Sequence, residues 1–96
     1  MTTVYASIGN SDDKLTQKEW AAFHEVFTSL IRRAATQVYG DWLSSTNSEY
    51  QNACMGFEVS DEMAGALRAA LSELAKEFRQ DSIAWAIADT EFLTPR

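Results

Sequence analysis

Apolar and polar residues alternate with a period of two near the start of the chain, and this pattern predicts a strand over residues 3–8. One side of the strand carries Val4, Ala6 and Ile8, and the other carries Tyr5 and Ser7. A polar run of turn-forming residues follows, made of Gly9, Asn10, Ser11, Asp12 and Asp13. We call this run the elbow, and we expect the rest of the chain to be arranged around it.

The period changes to that of a helix after the elbow. Thr16 and Glu19 have the spacing of a capping box, in which each side chain satisfies a backbone N–H group of the first turn. We therefore predict a helix over residues 17–33. Its apolar face would consist of Trp20, Phe23, Phe27, Leu30, Ile31 and Ala34.

Two further strands are predicted over residues 35–43 and 51–59, and the polar loop between them indicates a hairpin. Alternation in the earlier strand separates two groups but leaves open which of them faces the core. One group is Thr36, Val38 and Trp42, and the other is Gln37, Tyr39, Asp41 and Leu43. Alternation in the later strand separates Ala53, Met55, Phe57 and Val59 from Asn52, Cys54, Gly56 and Glu58.

A second helix is predicted over residues 61–79, because Ser60 is a favourable N-cap and acidic residues follow it directly. Its apolar face would consist of Met63, Leu67, Ala70, Leu71, Leu74 and Phe78. A fourth strand is predicted over residues 82–90, where Ile83, Trp85 and Ile87 alternate with Ala84, Ala86 and Ala88. Residues 91–96 would form a loose tail.

The predicted order of elements is β-α-β-β-α-β, which is the arrangement of α+β ferredoxin-like domains. Right-handed crossovers give a four-stranded antiparallel sheet in the order 4-1-3-2, with both helices on one face. We expect residues 1–96 to form a single domain of this kind.

Charge and composition exclude several classes of partner. The 14 acidic and 8 basic residues give a net charge of −6, which argues against a nucleic-acid partner because duplex DNA would repel the protein. No apolar run is long enough to cross a bilayer, and the N-terminus lacks the features of a signal peptide. A single Cys cannot form an internal disulfide. We therefore expect a cytoplasmic protein without a membrane partner.

The predicted topology brings three polar segments to one end of the sheet, which we call the polar end. Its carboxylates, amides and hydroxyls suit a polar small molecule, although loops are also polar for structural reasons. The candidate ligand-binding residues are Asn10, Ser11, Asp12, Asp13, Tyr50, Gln51, Asn52, Gln80 and Asp81. Asn47 lies in the same predicted loop cluster. We expect replacement of Asn10, Gln51 or Asp81 by Ala to remove binding with little change in melting temperature.

The face of the predicted sheet opposite the helices carries small and mostly uncharged residues. A solvated antiparallel face would normally be polar, so we expect a second copy to cover it about a two-fold axis. The alternative is that alanine is merely tolerated on a solvated strand. The candidate dimer face consists of Tyr5, Ser7, Cys54, Gly56, Ala84, Ala86 and Ala88.

Catalytic chemistry finds little support in these residues. Cys54 and His24 would lie on opposite sides of the sheet, so a nucleophile–base pair is not expected. One Cys and one His do not make a zinc site, and no glycine-rich phosphate loop occurs. We therefore expect no catalytic residue, metal or cofactor, with a carboxylate group of Asp12, Asp13 and Asp81 as the weaker alternative. Trp20, Trp42 and Trp85 are interpreted as core anchors.

Four segments of the chain carry a resemblance to known proteins. IGNSDDKL, EW-x-x-F, YQNAC and FRQDSIAW resemble short uncharacterised proteins encoded by actinobacteria and their phages. The resemblance covers most of the chain and implies a phage or prophage setting, in which small proteins often bind host components. It implies no activity and no functional residue.

Three functional hypotheses remain after these observations. The leading one is a small non-catalytic homodimer that binds a polar small molecule or a host protein at the polar end. The second is an enzyme of the dimeric α+β barrel type, whose chamber between two sheets would be lined by Tyr5, Tyr39, Asp41, Cys54 and Glu58. The third is an inhibitor that captures a basic host protein through its acidic surface.

Overall fold

The structure, a computed structural model, describes residues 1–10, 12–45 and 48–96. Its elements are β1 (Thr2–Gly9), α1 (Gln17–Ala34), β2 (Gln37–Leu43), β3 (Asn52–Val59), α2 (Asp61–Glu77) and β4 (Ala84–Ala88). The strands form one antiparallel sheet in the order β2-β3-β1-β4, which is the predicted 4-1-3-2 arrangement read from the other edge. The ferredoxin-like topology predicted from the sequence is therefore confirmed.

The core lies between one face of the sheet and the two helices. Cross-strand pairs such as Val4 with Phe57 and Ala6 with Met55 present their side chains to this core. The buried cluster comprises Val4, Ala6, Ile8, Leu15, Trp20, Phe23, Phe27, Ile31, Ala53, Met55, Phe57, Val59, Leu67, Leu71 and Leu74. Alternation along β1 and β3 thus separates a helix-bearing face from an outer face. In the described part of the chain, no helix is both long and apolar enough to span a bilayer.

The start of α1 has the predicted capping box. The backbone N–H of Glu19 donates to Thr16 Oγ1 at 3.1 Å, and the N–H of Thr16 donates to Glu19 Oε1 at 3.1 Å. Arg79, which follows α2, donates to Glu19 Oε2 at 2.6 Å. The capped start of α1 is therefore tied to the end of α2.

The end of α2 is closed by a Schellman motif. Arg79 adopts a left-handed conformation with φ 57°, and the N–H of Gln80 donates to the Ala75 carbonyl at 2.8 Å. The N–H of Arg79 donates to the Lys76 carbonyl at 3.1 Å, which completes the motif. This turn directs the chain toward β4 and fixes the position of Gln80 at the polar end.

A β-bulge in β2 changes which side chains share a face. The register shifts between Val38, which pairs with Phe57, and Gly40, which pairs with Gly56. The predicted grouping of Trp42 with Val38 is therefore wrong, because Val38 faces the core and Trp42 faces outward. Trp42 is 52% exposed, so its predicted role as a core anchor is also wrong.

The same bulge moves Asp41 to the helix-bearing side of the sheet. Arg32 of α1 donates to Asp41 Oδ2 at 2.9 Å across that side. The predicted lining of a chamber by Asp41 on the outer face is therefore wrong. Of the two other predicted core anchors, Trp20 is buried and Trp85 is partly buried against the core.

Candidate functional site

Asn10 lies at the centre of the polar end and is 2% exposed. Its Oδ1 accepts from the Leu15 N–H at 2.9 Å, and its Nδ2 donates to the Leu15 carbonyl at 3.0 Å and to Gln51 Oε1 at 3.1 Å. Its backbone N–H donates to the Gln51 carbonyl at 2.8 Å. The amide of Asn10 is thus occupied by the elbow itself. We therefore assign this residue a structural role rather than the ligand contact expected from the sequence.

Gln51 is occupied in a similar way. Its Nε2 donates to Gln17 Oε1 at 2.7 Å, and its Oε1 accepts from Gln17 Nε2 at 3.2 Å. This reciprocal amide pair joins the segment before β3 to the first turn of α1. Gln17 was not singled out in the sequence, because nothing in the spacing of two distant glutamines indicates that they meet.

A small cavity of about 190 Å³ forms the accessible part of the polar end. It is lined by Gly9, Asp12, Gln80, Asp81 and Ser82. The structure therefore brings together three of the predicted ligand-binding residues, from the elbow and from the turn after α2.

Lys14 bridges the two carboxylates of this cavity. Its Nζ lies 3.5 Å from Asp12 Oδ2 and 3.5 Å from Asp81 Oδ1. All three side chains are substantially exposed, so these ion pairs add little stability by themselves. Gln80 Nε2 donates to the Phe78 carbonyl at 3.0 Å, so the cavity offers two carboxylates and the Gln80 side-chain carbonyl as acceptors, with the Lys14 ammonium beside the carboxylates. No pattern in the sequence points to Lys14, since a single lysine in a polar loop is common.

The remaining predicted ligand residues lie outside this cavity. Asp13 is exposed with φ 57°, and its N–H donates to the Asn10 carbonyl at 3.1 Å. Tyr50 is 63% exposed, and its carbonyl accepts from Asn52 Nδ2 at 3.1 Å. Ser11 and Asn47 lie outside the described residues. The polar end is therefore divided into an internal tie around Asn10 and an accessible cavity around Asp81.

The outer face carries all the residues predicted for the dimer face. Tyr5 pairs with Gly56 on one side and with Ala86 on the other, while Ser7 pairs in the same way with Cys54 and Ala84. Ala88 follows in the same register opposite Thr3. Among the strand residues of this face, Glu58 is the only charged one.

Tyr5 and Trp42 form a ring pair on the outer face. Their centroids are 6.3 Å apart and their planes differ by 29°. Gly56 lies beneath them, and a Cβ at that position would lie 2.7 Å from Tyr5 Cε1 and 3.3 Å from Trp42 Cη2. A glycine is required here because the two rings cover its backbone. The signal that could have placed Trp42 outward is Gly40 inside a strand, which is a typical position for a bulge.

The C-terminal tail contacts β2 through an aromatic pair. The Phe92 ring lies 6.0 Å from the Tyr39 ring, and Tyr39 Oη donates to Glu58 Oε2 at 3.2 Å. Desolvation, followed by the hydrogen bond and the charge of Glu58, raises the pKa of Tyr39 above its ordinary value of 10.0. The charged residue of this face is therefore hydrogen-bonded within the protein.

The side chains of Cys54 and His24 are kept apart. Cys54 lies on the outer face, whereas His24 lies on α1 with its ring 6.3 Å from that of Trp20. The sheet separates the two side chains, as the sequence predicts. In the described ranges, no group of three His, Cys, Asp or Glu residues is arranged to hold a metal ion.

Comparison with solved structures places the fold in a broad class. The de novo designed protein Foldit4 has a TM-score of 0.62 at 10% identity, with 94% of this chain and 98% of that chain covered. A formyltetrahydrofolate deformylase from Burkholderia mallei has a TM-score of 0.54 at 20% identity over 92% of this chain. One from Pseudomonas putida has a TM-score of 0.51 at 13% identity over 93% of this chain.

The likeness is one of fold alone, since all three identities are low. This chain spans 27% and 28% of the lengths of the two deformylases. The chain matches no protein-family model and no curated protein sequence. It has the architecture of a ferredoxin-like α+β domain. Because this fold supports many unrelated functions, the fold alone does not determine what the protein does.

Proposed function

We propose that this protein is a small non-catalytic homodimer that associates through its outer face and binds a polar small molecule at its polar end. The observation that carries the proposal is the exposed Tyr5–Trp42 ring pair beside a strip of alanines on a nearly uncharged sheet face. An antiparallel sheet face that stays in water normally carries charged and hydroxyl side chains. A face of this composition is better suited to contact with another protein surface.

The outer faces of two copies would have complementary shapes. Trp42 stands on the edge strand β2, and Ala84, Ala86 and Ala88 lie on the opposite edge strand β4, about 14 Å away at the usual strand spacing. Consider a two-fold axis that runs parallel to the strands, in the space between the two facing sheets and over the midpoint of β1 and β3. This axis places β2 of one copy over β4 of the other. Each Trp42 would then pack onto the alanine strip of the other copy. This is the isologous contact that a symmetric dimer requires.

The polar end supplies the ligand site of the proposal. Asp12 and Asp81 offer carboxylate oxygens, Gln80 offers its Oε1, and Lys14 can be displaced because its pairs are long and exposed. A small molecule with several donors, or with one positive charge, would bridge the two carboxylates in place of the Lys14 ammonium. The volume of about 190 Å³ limits such a ligand to a few heavy atoms. A host protein that inserts one basic side chain is the macromolecular alternative.

The dimer is tested by sedimentation velocity over a range of protein concentrations. We expect a species of twice the 10.7 kDa chain, and we expect Ala86→Glu to convert it to monomer without loss of folding. Ala66→Glu is the matched control, because it places the same charge on an exposed position of α2. A wild-type monomer at every concentration, or a dimer that tolerates Ala86→Glu, would refute the proposed interface.

The ligand site is tested by native mass spectrometry of gently purified protein. Extra mass that is lost on denaturation would identify a retained small molecule, and Asp81→Asn should abolish it. Asp89→Asn is the control, since Asp89 is an exposed aspartate that does not line the cavity. If the mass is retained in Asp81→Asn, the ligand binds elsewhere.

An enzyme with a chamber between two sheets is the second candidate. The observation in its favour is the Tyr39–Glu58 hydrogen bond, which places an acid and a phenol on the outer face with Tyr5 and Cys54. This candidate requires a gap between the two sheets rather than close packing. A dimer structure in which the two outer faces pack closely, with no gap that could hold a substrate, would exclude it.

A further inference from the structure

A cleft of about 530 Å³ lies between α2 and the edge strand β4, on the helix-bearing side of the sheet. Its apolar lining includes Leu71 and Ala75 from α2, and Ile83 and Trp85 from the β4 side. The volume falls within the range of sites that hold small organic molecules. The cleft is separate from the outer face, so binding in it does not depend on the proposed dimer.

Two basic residues of α2 line the cleft, and their placement is unusual for a protein with net charge −6. The Arg68 guanidinium carbon lies 5.7 Å from the centroid of the Trp85 ring, which is a cation–π arrangement. Lys76 follows two helical turns later, about 12 Å along the axis. Within the described part of the chain, neither side chain is paired with a carboxylate.

The indole of Trp85 also lines the cleft, but its ring nitrogen is not exposed there. Its Nε1 is buried and has no hydrogen-bond partner among residues 1–10, 12–45 and 48–96. The other atoms of the Trp85 ring, rather than this nitrogen, are therefore the part of the side chain that a bound molecule would contact. The edge of the Trp85 ring also packs on Phe57, at a centroid distance of 6.0 Å, so the indole is held in position by the core.

One carboxylate lines the cleft as well. Asp81 lies where the cleft meets the polar end, but the Asp81 side chain is 92% exposed and Lys14 Nζ lies 3.5 Å from it. Water and this lysine screen its charge from the Arg68 region. The net charge at the Trp85 side of the cleft is therefore positive.

We propose that this cleft binds an amphipathic anion, with an apolar or aromatic body over Leu71, Ile83 and Trp85 and an acidic group at Arg68. The acidic group accepts from the Arg68 guanidinium, and Lys76 adds a second favourable charge. A carboxylate and a phosphate share this chemistry. The apolar lining supplies affinity, whereas the cations select an acid over a neutral or basic molecule of the same shape.

Titration with naphthoate, followed in proton–nitrogen correlation spectra, tests the proposal. The indole N–H signal of Trp85 should shift saturably with a Kd of about 1 mM or lower, as expected for a ligand of this size. Naphthalenemethanol and naphthylmethylammonium have the same ring system without the acid, and each should bind about tenfold more weakly. Naphthyl phosphate distinguishes the two anions, and saturable binding of either one supports the site.

Two variants distinguish specific binding of naphthoate in the cleft from non-specific binding to the protein surface. Arg68→Gln should weaken naphthoate binding about fivefold to tenfold, whereas Arg33→Gln, which removes an exposed arginine from α1, should leave it unchanged. Equal binding of naphthoate and the neutral alcohol would overturn the proposal. So would a shift of the Trp42 indole in place of the Trp85 indole, a titration that never saturates, or equal effects of the two variants.

Discussion

Asn10 and Leu15 hold the elbow closed through a pair of hydrogen bonds between one side chain and one backbone. The Leu15 N–H donates to Asn10 Oδ1 at 2.9 Å, and Asn10 Nδ2 donates to the Leu15 carbonyl at 3.0 Å. Asn10 is 2% exposed, and Leu15 is buried in the core. The side chain of Asn10 thus pairs with the N–H and carbonyl of Leu15 as a neighbouring strand would, so both buried backbone groups of Leu15 are hydrogen-bonded.

Asn10→Ala should destabilise the protein. The substitution leaves the Leu15 N–H without its buried partner, so the free energy of unfolding should fall by about 1 to 3 kcal/mol. For a domain of this size, each 1 kcal/mol lowers the melting temperature by about 4 to 8 °C. This reverses the expectation from the sequence that Asn10→Ala would leave the melting temperature nearly unchanged.

Thermal unfolding followed by circular dichroism measures this effect. Asn52→Ala is the matched control, because Asn52 is exposed and, among the described residues, its side-chain amide donates to the nearby Tyr50 carbonyl alone. The control should unfold within a few degrees of the wild type. Equal melting temperatures for Asn10→Ala and wild type would show that the elbow does not need the asparagine side chain.

Glu19 should make stability depend on pH in the acid range. The hydrogen bond from the Thr16 backbone is the largest influence that lowers the pKa of Glu19 from its ordinary value of 4.5. Arg79 lowers this pKa further, while desolvation opposes the change. The folded pKa is therefore below the unfolded one. The stabilisation is fully present above pH 4.5 and is lost as the pH falls through the folded pKa.

Urea unfolding at a series of pH values checks this behaviour in wild type and Glu19→Gln. The variant should lose part of the decline in stability that the wild type shows below pH 4.5. Glu73→Gln, at an exposed position in α2, serves as the control and should keep the wild-type profile. Parallel profiles for wild type and Glu19→Gln would contradict the assigned role of the capping box and Arg79.

Tyr39 should titrate at a higher pH than an ordinary tyrosine. Its phenol is desolvated, and it donates to Glu58 Oε2 at 3.2 Å, so both the surroundings and the carboxylate disfavour the phenolate. As the pH rises, the Tyr39 phenol therefore loses its proton in the unfolded chain before it does so in the folded protein. The contribution of Tyr39 to stability is present below its unfolded pKa and is lost as the pH rises through the higher folded value.

An ultraviolet titration of phenolate formation measures this, with Tyr39→Phe identifying the signal of Tyr39 by difference. Glu58→Gln should lower the pKa of Tyr39 part of the way toward 10.0, because desolvation remains when the charge is removed. If Glu58→Gln leaves the titration of Tyr39 unchanged, the two side chains do not interact in solution.

The capped helices and the sheet order could be predicted because their signals are local. Thr16 and Glu19 lie three residues apart, and alternation along β3 alone assigns Met55 to the core and Cys54 to the outer face. Right-handed crossovers then leave few ways to connect the elements. These predictions do not depend on where any loop side chain points.

The bulge in β2 and the division of the polar end could not be predicted in the same way. One added residue near Gly40 inverts the faces of everything after it in the strand, and Trp42 changes from a core position to the outer face. Asn10 and Gln51 are 41 positions apart, and only the folded backbone brings their amides to 3.1 Å. Polar composition therefore predicted which polar segments meet at one end of the sheet, but it did not distinguish side chains bonded within the protein from accessible groups.

Gly56→Ala and Gly65→Ala should have opposite effects, although both replace one glycine by alanine. A Cβ at Gly56 would lie 2.7 Å from Tyr5 Cε1, so the Tyr5 ring must move away from Trp42. Because Tyr5 is exposed and its ring can shift, we expect the free energy of unfolding to fall by no more than about 1 kcal/mol, the lower end of the range for overpacked sites. At Gly65, within α2, nothing lies within 4 Å of the added Cβ. Gly65→Ala should therefore stabilise the helix by about 0.5 to 1 kcal/mol.

Chemical unfolding and sedimentation velocity on the two variants distinguish a local packing effect from an effect on the proposed dimer. If the ring pair forms part of the dimer contact, Gly56→Ala should also shift the equilibrium toward monomer, because the displaced Tyr5 ring changes the shape of the outer face. Gly65→Ala should leave association unchanged, since α2 lies on the other side of the sheet. A Gly56→Ala protein with wild-type stability would mean that the rings do not cover this glycine. Weaker folding with unaltered association would instead place the dimer contact away from Tyr5 and Trp42.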